Sequence, residues 1–443
     1  MCRMTPLIAA SYPHYLECLG TLAGMPSVFT RPQSVRRLLE HVRDGMRANL
    51  TGYRVGFDSA GNLIACPDRI DPAGPVVYLS AHADTVDADP AEWTPPFHPF
   101  HLWEDDREMV ARGVSDCKAG IAYQLLLSHL VGRGDLSLKN VVFTVTFKEE
   151  GAGPKTATAI GEAIGRSLPV GERGTFLLVL ENTVRLRPEP TLSIYTKERG
   201  NFVIEVEGTL DRLRAILSRL SCWNPVVIRP TADCEKSDME TFRQPGGHVC
   251  SVGRRENLLT SILLEAEPLQ VLRAGSPDSY SVVPPVITIG RSRRPRRHIL
   301  VLSNRTFDDR ETVRAQLAGI PFRPLKDFAI STGFDISERF CRMPEAAFFD
   351  RLKPPGLAVE RAANTGCSDG SIIFNTLSPS LRQAVHPIVC GPGTRSQRDI
   401  DPPRLTHGRN ETFDKAAGRS VVVLISRFLE AIGSIAVLGQ RSR

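Results

Sequence analysis

Apolar residues recur along this chain with two periods, and the places where one period gives way to the other mark out its elements. Residues 13–50 carry the helical spacing: Leu16, Leu19 and Leu22 line one face, then Val35, Leu38, Leu39, Val42 and Met46 line a second. Gly52 closes that stretch, as glycine often does after a helix. Residues 53–57 and 63–66 read as two strands joined by a hairpin connection rich in turn formers, 58–62. Residues 76–79 are a continuous apolar run of strand length. Residues 121–130 read as a long apolar helix, 141–147 as an alternating β-branched strand, 176–180 as a further strand and 421–432 as a helix. Residues 90–111, which hold Pro90, Pro95, Pro96 and Pro99, read as loop.

Polar groups of one kind stand where these apolar runs stop. The strand at 76–79 ends in His82 and Asp84. A histidine binds a metal through one ring nitrogen while a nearby carboxylate fixes its other N–H, although a His-x-Asp triplet also serves simply to hydrogen-bond a loop. Asp116 stands just before the helix at 121–130, either as a helix cap or as a carboxylate shared between two metal ions. The strand at 141–147 runs into Glu149 and Glu150, which repel each other unless solvent separates them or one binds metal and the other takes a proton. Glu181 ends the strand at 176–180. In an open α/β sheet, ligands gather at the carboxyl ends of strands.

Composition narrows the class without choosing within it. The 443 residues suffice for two domains, and 42% hydrophobic and 23% charged residues are ordinary for a globular protein. A net charge of +6, much of it local, does not argue for nucleic acid. No apolar run reaches the length of a membrane span and the N-terminus lacks the apolar core of a signal peptide, so no membrane association and a cytoplasmic location are expected. The ten cysteines are scattered, which fits reduced thiols. Cys117 reads as a small buried residue rather than a redox handle, Cys367 has no base beside it, and His98, His101 and His129 lack ligand spacing.

The order His-x-Asp, Gly-x-x-Asp, Glu-Glu, Glu resembles the M20 family of dinuclear metallohydrolases. Thr406 to Glu411, before the last apolar helix, resembles that family's closing histidine motif, and Gly391-Pro392-Gly393 the glycines that precede it. The resemblance implies an α/β fold, a catalytic domain with a mixed sheet covered by helices, formed by residues 1–197 and 337–443. It also implies an inserted ferredoxin-like α+β lid and dimerisation domain at 198–336. It implies two divalent metal ions, zinc first, with cobalt or manganese as the other candidates. His82, Asp116, Glu150, Glu181 and His407 would be the ligands, with Asp116 bridging and Asp84 steadying the His82 ring. Glu149 would be the general base, taking a proton from water as it attacks the amide and returning it to the leaving amine.

The lid stretch alternates as strands at 201–207 and 298–304, with helical spacing at 210–220, 257–265 and 310–317. Gly247-His248-Val249-Cys250, with Asn257 nine residues after the histidine, resembles the lid motif of the desuccinylase branch. That resemblance makes His248 an oxyanion-stabilising residue; otherwise it sits in a surface turn. Arg305 matches a lid arginine that binds a substrate carboxylate, or is an ordinary strand-end charge. Thr365, Gly366, Ser368 and Asp369 resemble the substrate-side loop of the same branch, and Asn257 joins them as a substrate contact. Two features depart from the pattern: the lid is long, and an arginine-rich run from Arg291 to Arg297 replaces the family's asparagine segment. That run reads as a solvated hairpin loop, with docking of an acidic protein partner as the alternative.

The expected activity is cleavage of an amide in an N-acyl amino acid or small peptide-like molecule with a free carboxylate, by a homodimer joined through the lid. An exopeptidase of the same fold is the nearest alternative. A non-catalytic dimeric binding protein that kept the fold is the alternative from another class.

Overall fold

The computed structural model describes residues 4–150, 155–182, 192–197, 200–208, 224–230, 239–243, 286–290, 298–306, 315, 324–327, 359–363, 368–393 and 409–438. The helices among them are α1 (Met4–Ala23), α2 (Pro32–Asn49), α3 (Lys118–Gly132), α4 (Lys155–Ala163), α5 (Asp369–Thr376), α6 (Pro379–Ala384) and α7 (Lys415–Ala431). The strands begin with β1 (Tyr53–Phe57), β2 (Leu63–Pro67), β3 (Val76–His82), β4 (Trp103–Glu104), β5 (Glu108–Val110), β6 (Leu136–Leu138), β7 (Val141–Thr146), β8 (Thr175–Asn182) and β9 (Leu192–Lys197). They continue with β10 (Gly200–Gly208), β11 (Asn224–Pro230), β12 (Met239–Arg243), β13 (Val286–Gly290), β14 (His298–Thr306) and β15 (Pro324–Asp327). The last four are β16 (Val359–Ala363), β17 (Val385–Gly391), β18 (Thr412–Asp414) and β19 (Ile435–Val437).

The chain divides into two compact units. One comprises 1–197, 342–364 and 368–443; the other comprises 198–341 and 365–367. The first is built on a mixed sheet in the order β1-β2-β7-β3-β8-β17-β9-β16. At its centre β3 runs parallel to β7 and β8, and β17 parallel to β8, while β1 and β2 are antiparallel additions. Every residue of β3 and of β7 is buried. Such strands are covered on both faces and so read as unbroken apolar runs rather than alternations. On one face Val77, Leu79, Ala81, Val141, Phe143 and Val145 join a single core with residues of α1, α2, α3 and α7. Each large apolar side chain buried there contributes about 1.5–3 kcal/mol relative to exposure.

Parallel pairing matches His82 with Thr146 and Ser80 with Val179. The carboxyl ends of β3, β7 and β8 therefore share one edge of the sheet. Chemistry-bearing residues that follow these strands are brought together by topology alone.

The second unit contains a four-stranded antiparallel sheet in the order β11-β14-β10-β15 and a separate β12–β13 pair. Its strands at 200–208 and 298–306 contain the two read from the sequence. The helical stretches expected at 210–220, 257–265 and 310–317 lie, Ala315 apart, outside the described residues.

Elsewhere the boundaries move for identifiable reasons. The continuous helical reading of 13–50 is two helices. Pro13 lies inside α1, which begins at Met4, and α2 starts afresh at Pro32, a residue suited to a first turn. Between them Val28 bridges to Thr85, and the main chain bonds Phe29 N–H to Thr85 and Thr85 N–H to Ser27. Gly52 adopts a positive φ of 77° in the turn after α2 rather than ending it. The expected loop at 90–111 contains β4 and β5, which form a three-stranded sheet with β18. No helix among the described residues is long and apolar enough to cross a membrane.

Candidate metal centre

His82 is the last residue of β3, and its ring is buried between two acceptors. Nδ1 lies 2.9 Å from the main-chain carbonyl of Asp84, so it carries a proton and donates. Nε2 lies 2.9 Å from Oδ1 of Asp116. With Nδ1 committed as a donor, a neutral ring presents a lone pair at Nε2, and a carboxylate offers only lone pairs in return. The contact holds only if a cation, a proton or a metal ion, sits between them. Burial opposes a charged ring, but Cys117, Asp116 and Asp84 outweigh it and hold the His82 pKa well above the ordinary value.

The Asp84 carboxylate faces the His82 ring and has a second task. One of its oxygens is 3.5 Å from Nδ1, farther than the main-chain acceptor. Its two oxygens also accept the N–H groups of Glu149 (2.8 Å) and Glu150 (3.0 Å). Asp84 thus fixes the turn that carries the paired glutamates. These lie with His82 in a group whose ligand atoms are all within 4.8 Å of one another. Loss of solvation, then the charges of Glu150, Asp369 and Asp84, raise the Glu149 pKa well above the usual carboxylate range, against a lowering pull from His82.

Asp116 precedes α3, joined to Cys117 by a cis peptide bond. The Cys117 thiol, also within ligand range of His82 and Asp116, donates to the carbonyl of Leu180 at 3.1 Å, and burial pushes its pKa up. That matches the structural rather than the redox reading. Glu181 is the penultimate residue of β8, and continuing the β3–β8 register sets it beside His82. A Cβ at Gly391 would lie 2.2 Å from the Glu181 carbonyl, so only glycine lets β17 approach the strand end there.

Ser368 and Asp369 are both buried. The Ser368 hydroxyl accepts the Gly370 N–H at the start of α5, and the Thr146 hydroxyl bonds the Asp369 carboxylate, which stands close enough to raise the Glu149 pKa. His98 and His101 stack on each other, and His129 packs on His14. His248, Asn257, Thr365, Gly366 and His407 lie outside the described residues, as does the run from Arg291 to Arg297. Arg305 lies in β14 and is described there by its backbone alone.

One residue of the site escaped sequence reading. Glu411 is buried, and its carboxylate accepts from Arg112 Nη1 (2.9 Å) and the N–H groups of Gly113 (3.0 Å), Ser115 (3.0 Å) and Asp116 (3.1 Å). The available signal was its place in the closing motif, four residues after His407.

Imidazole and carboxylate oxygens are the donor types that zinc and similar divalent ions take, and their grouping around one histidine fits such an ion. The sequence model of peptidase family M20/M25/M40 matches residues 78–245. A probable succinyl-diaminopimelate desuccinylase of Staphylococcus epidermidis is 42% identical over 65 residues, 14% of this chain and 15% of that protein. A probable carboxypeptidase of Arthroderma otae is 25% identical over 244 residues, 48% of this chain and 50% of that protein. The chain thus spans at most half the length of these curated relatives. Among solved structures, human carnosine dipeptidase 1 aligns with a TM-score of 0.58 at 14% identity, covering 97% of this chain and 98% of that one. An M20 family metallo-carboxypeptidase from Sulfolobus solfataricus aligns with a TM-score of 0.56 at 16% identity, covering 94% and 99%. At such identities these two speak for the fold alone, a mixed sheet with flanking helices. Strand-end chemistry, family match and fold agree, and residues 78–245 of this chain are similar to peptidase family M20/M25/M40.

Proposed function

We propose that this chain is a metal-dependent hydrolase of an amide bond in an N-acyl amino acid or small peptide-like molecule with a free carboxylate. The observation that carries the reading is the cation required between His82 Nε2 and the Asp116 carboxylate, with Glu149 and Glu150 grouped on the same imidazole. His82, Asp116 and Glu181 would hold one ion and Asp116, Glu150 and His407 the other. Two divalent ions, zinc first, would polarise the scissile carbonyl and acidify water there. Asp84 orients the base by gripping its N–H. Burial and the neighbouring Glu150 make the Glu149 carboxylate more basic, and it would take the proton of the attacking water and pass it to the leaving amine. Arg305, Asn257, Thr365 and Gly366 would engage the substrate, with its carboxylate on Arg305, and His248 would face the developing oxyanion from a lid-mediated dimer.

Elemental analysis of the purified protein, before and after zinc loading, tests this. Two ions per chain, falling on His407→Ala or Glu150→Ala, is the expected result. Glu149→Ala should keep its metal and lose turnover on a panel of N-acyl amino acids and dipeptides. Absence of specific metal uptake would sink the hydrolase and leave a binding protein on this fold. An exopeptidase is the second reading, favoured by the probable carboxypeptidase that matches nearly half of the chain; turnover of dipeptides but not of N-acyl amino acids would select it.

A further inference from the structure

We infer that Glu411 is the positioning residue of the metal centre, holding the 112–116 loop in the one conformation that presents Asp116 to His82. The inference rests on the reading of Asp116 as a ligand and deepens it. Four donors converge on the two oxygens of this carboxylate. Oε2 takes Arg112 Nη1 and Gly113 N, and Oε1 takes Ser115 N and Asp116 N. The loop is bound by its backbone, so the grip fixes where the Asp116 side chain starts. Arg112, whose side chain joins the grip, is itself buried. Gly113 has a positive φ of 79°, and a Cβ there would meet Thr85 Cγ2 at 2.4 Å. Sterics and hydrogen bonds thus dictate the same path.

The chemistry requires a carboxylate. All four partners are donors, and a carboxylate alone among side chains of this size offers acceptors at both ends. Glutamine would fill the same space but turn an NH2 group towards two donors, whichever way it is flipped. The main chain reinforces the grip, since Ala111 N–H donates to the Glu411 carbonyl at 3.2 Å and β18 pairs with β5. Groups that orient a metal's ligands influence affinity without touching the ion.

The test compares wild type with Glu411→Gln and Glu411→Ala. Amide hydrogen exchange is read in the metal-free proteins, and zinc affinity is read by competition with a chromogenic chelator. Glu411→Gln should lose protection at Gly113, Ser115 and Asp116 while β3 and β7 keep theirs, and should bind zinc about tenfold or more weakly. Glu411→Ala should show the same local loss. Unchanged zinc affinity in Glu411→Gln, or unchanged protection at the three amides, would overturn the inference. So would loss of protection spread equally through β3 and β7, since Glu411 would then be a general stabiliser. Wild type that takes up no zinc would overturn the metal-centre reading and this inference with it. Wild type and Glu411→Gln that load two ions equally tightly would overturn this inference alone.

Discussion

Lys118 offers the most quantitative handle on the packing behind the site. Its amine is fully buried and donates to the carbonyls of Met25 (2.8 Å) and Arg112 (3.4 Å). Burial, aided by Arg112 and opposed by Glu411, pulls its pKa from the usual 10.5 to about 7. Between those values the unfolded chain carries a proton on this amine that the folded chain has shed. Stability then rises with pH by ~1.4 kcal/mol per unit for one proton. This contribution is complete above about 10.5 and is lost as pH falls to about 7. Over two pH units inside that window the gain is ~2.7 kcal/mol. Lys118→Met keeps the length of the side chain and has no proton to shed. It leaves two carbonyls without their donor, a cost of about 1–3 kcal/mol that does not vary with pH. The stability of wild type minus that of Lys118→Met should therefore climb by ~2.7 kcal/mol between about pH 7.5 and 9.5 and run flat on the acid side of about pH 6. Urea denaturation of the metal-free proteins, followed by tryptophan fluorescence, reads it; Trp93 and Trp103 lie in the same unit as Lys118. Curves that stay parallel across the whole range would refute a buried amine of depressed basicity.

Two further substitutions probe the strand ends. Gly391→Ala places a methyl 2.2 Å from the Glu181 carbonyl, and β17 cannot retreat without parting from β8. A cost of about 1–3 kcal/mol and a thermal midpoint several degrees lower are expected; an unchanged midpoint would rule out the close approach. Asp84→Asn keeps the shape but turns an NH2 group towards the N–H of Glu149 or of Glu150. It should cost about 1.5–3 kcal/mol and expose those two amides to exchange, and wild-type protection there would show that another group anchors the turn.

The parts of the site that were legible in the sequence are those whose place depends on local pattern. His82 ends a buried apolar strand, Glu181 lies at the end of another, Glu149 and Glu150 follow a third and Asp116 precedes an apolar helix, so each stands where the local pattern changes. The second task of Asp84 was not legible, because the sequence names the residue and not the atom. Its carbonyl serves the histidine and its carboxylate also serves the glutamates. The contacts of Glu411 were hidden for a related reason, since its donors lie nearly three hundred residues upstream. The start of α1 was missed because Pro13 looks like a boundary, whereas Met4, Ile8, Tyr12 and Tyr15 carry the buried face straight past it. The small strands β4 and β5 were missed because they exist by pairing with β18, a partner that local sequence cannot supply.

The strand order carries a consequence for how the protein is made. β17 lies between β8 and β9 in the sheet, yet about 200 residues separate the end of β8 from its start. At roughly 5–20 residues per second of synthesis, the edge of β8 waits on the order of 10–40 s for its neighbour. Throughout that interval an apolar strand with unsatisfied main-chain groups faces the cellular milieu, the kind of edge that recruits other chains. The 112–116 loop waits longer still, since Glu411 follows β17. A nascent chain of this protein therefore holds all three candidate acidic ligands, Asp116, Glu150 and Glu181, well before it has the means to arrange them, and the interval before β17 docks is when it most needs a chaperone.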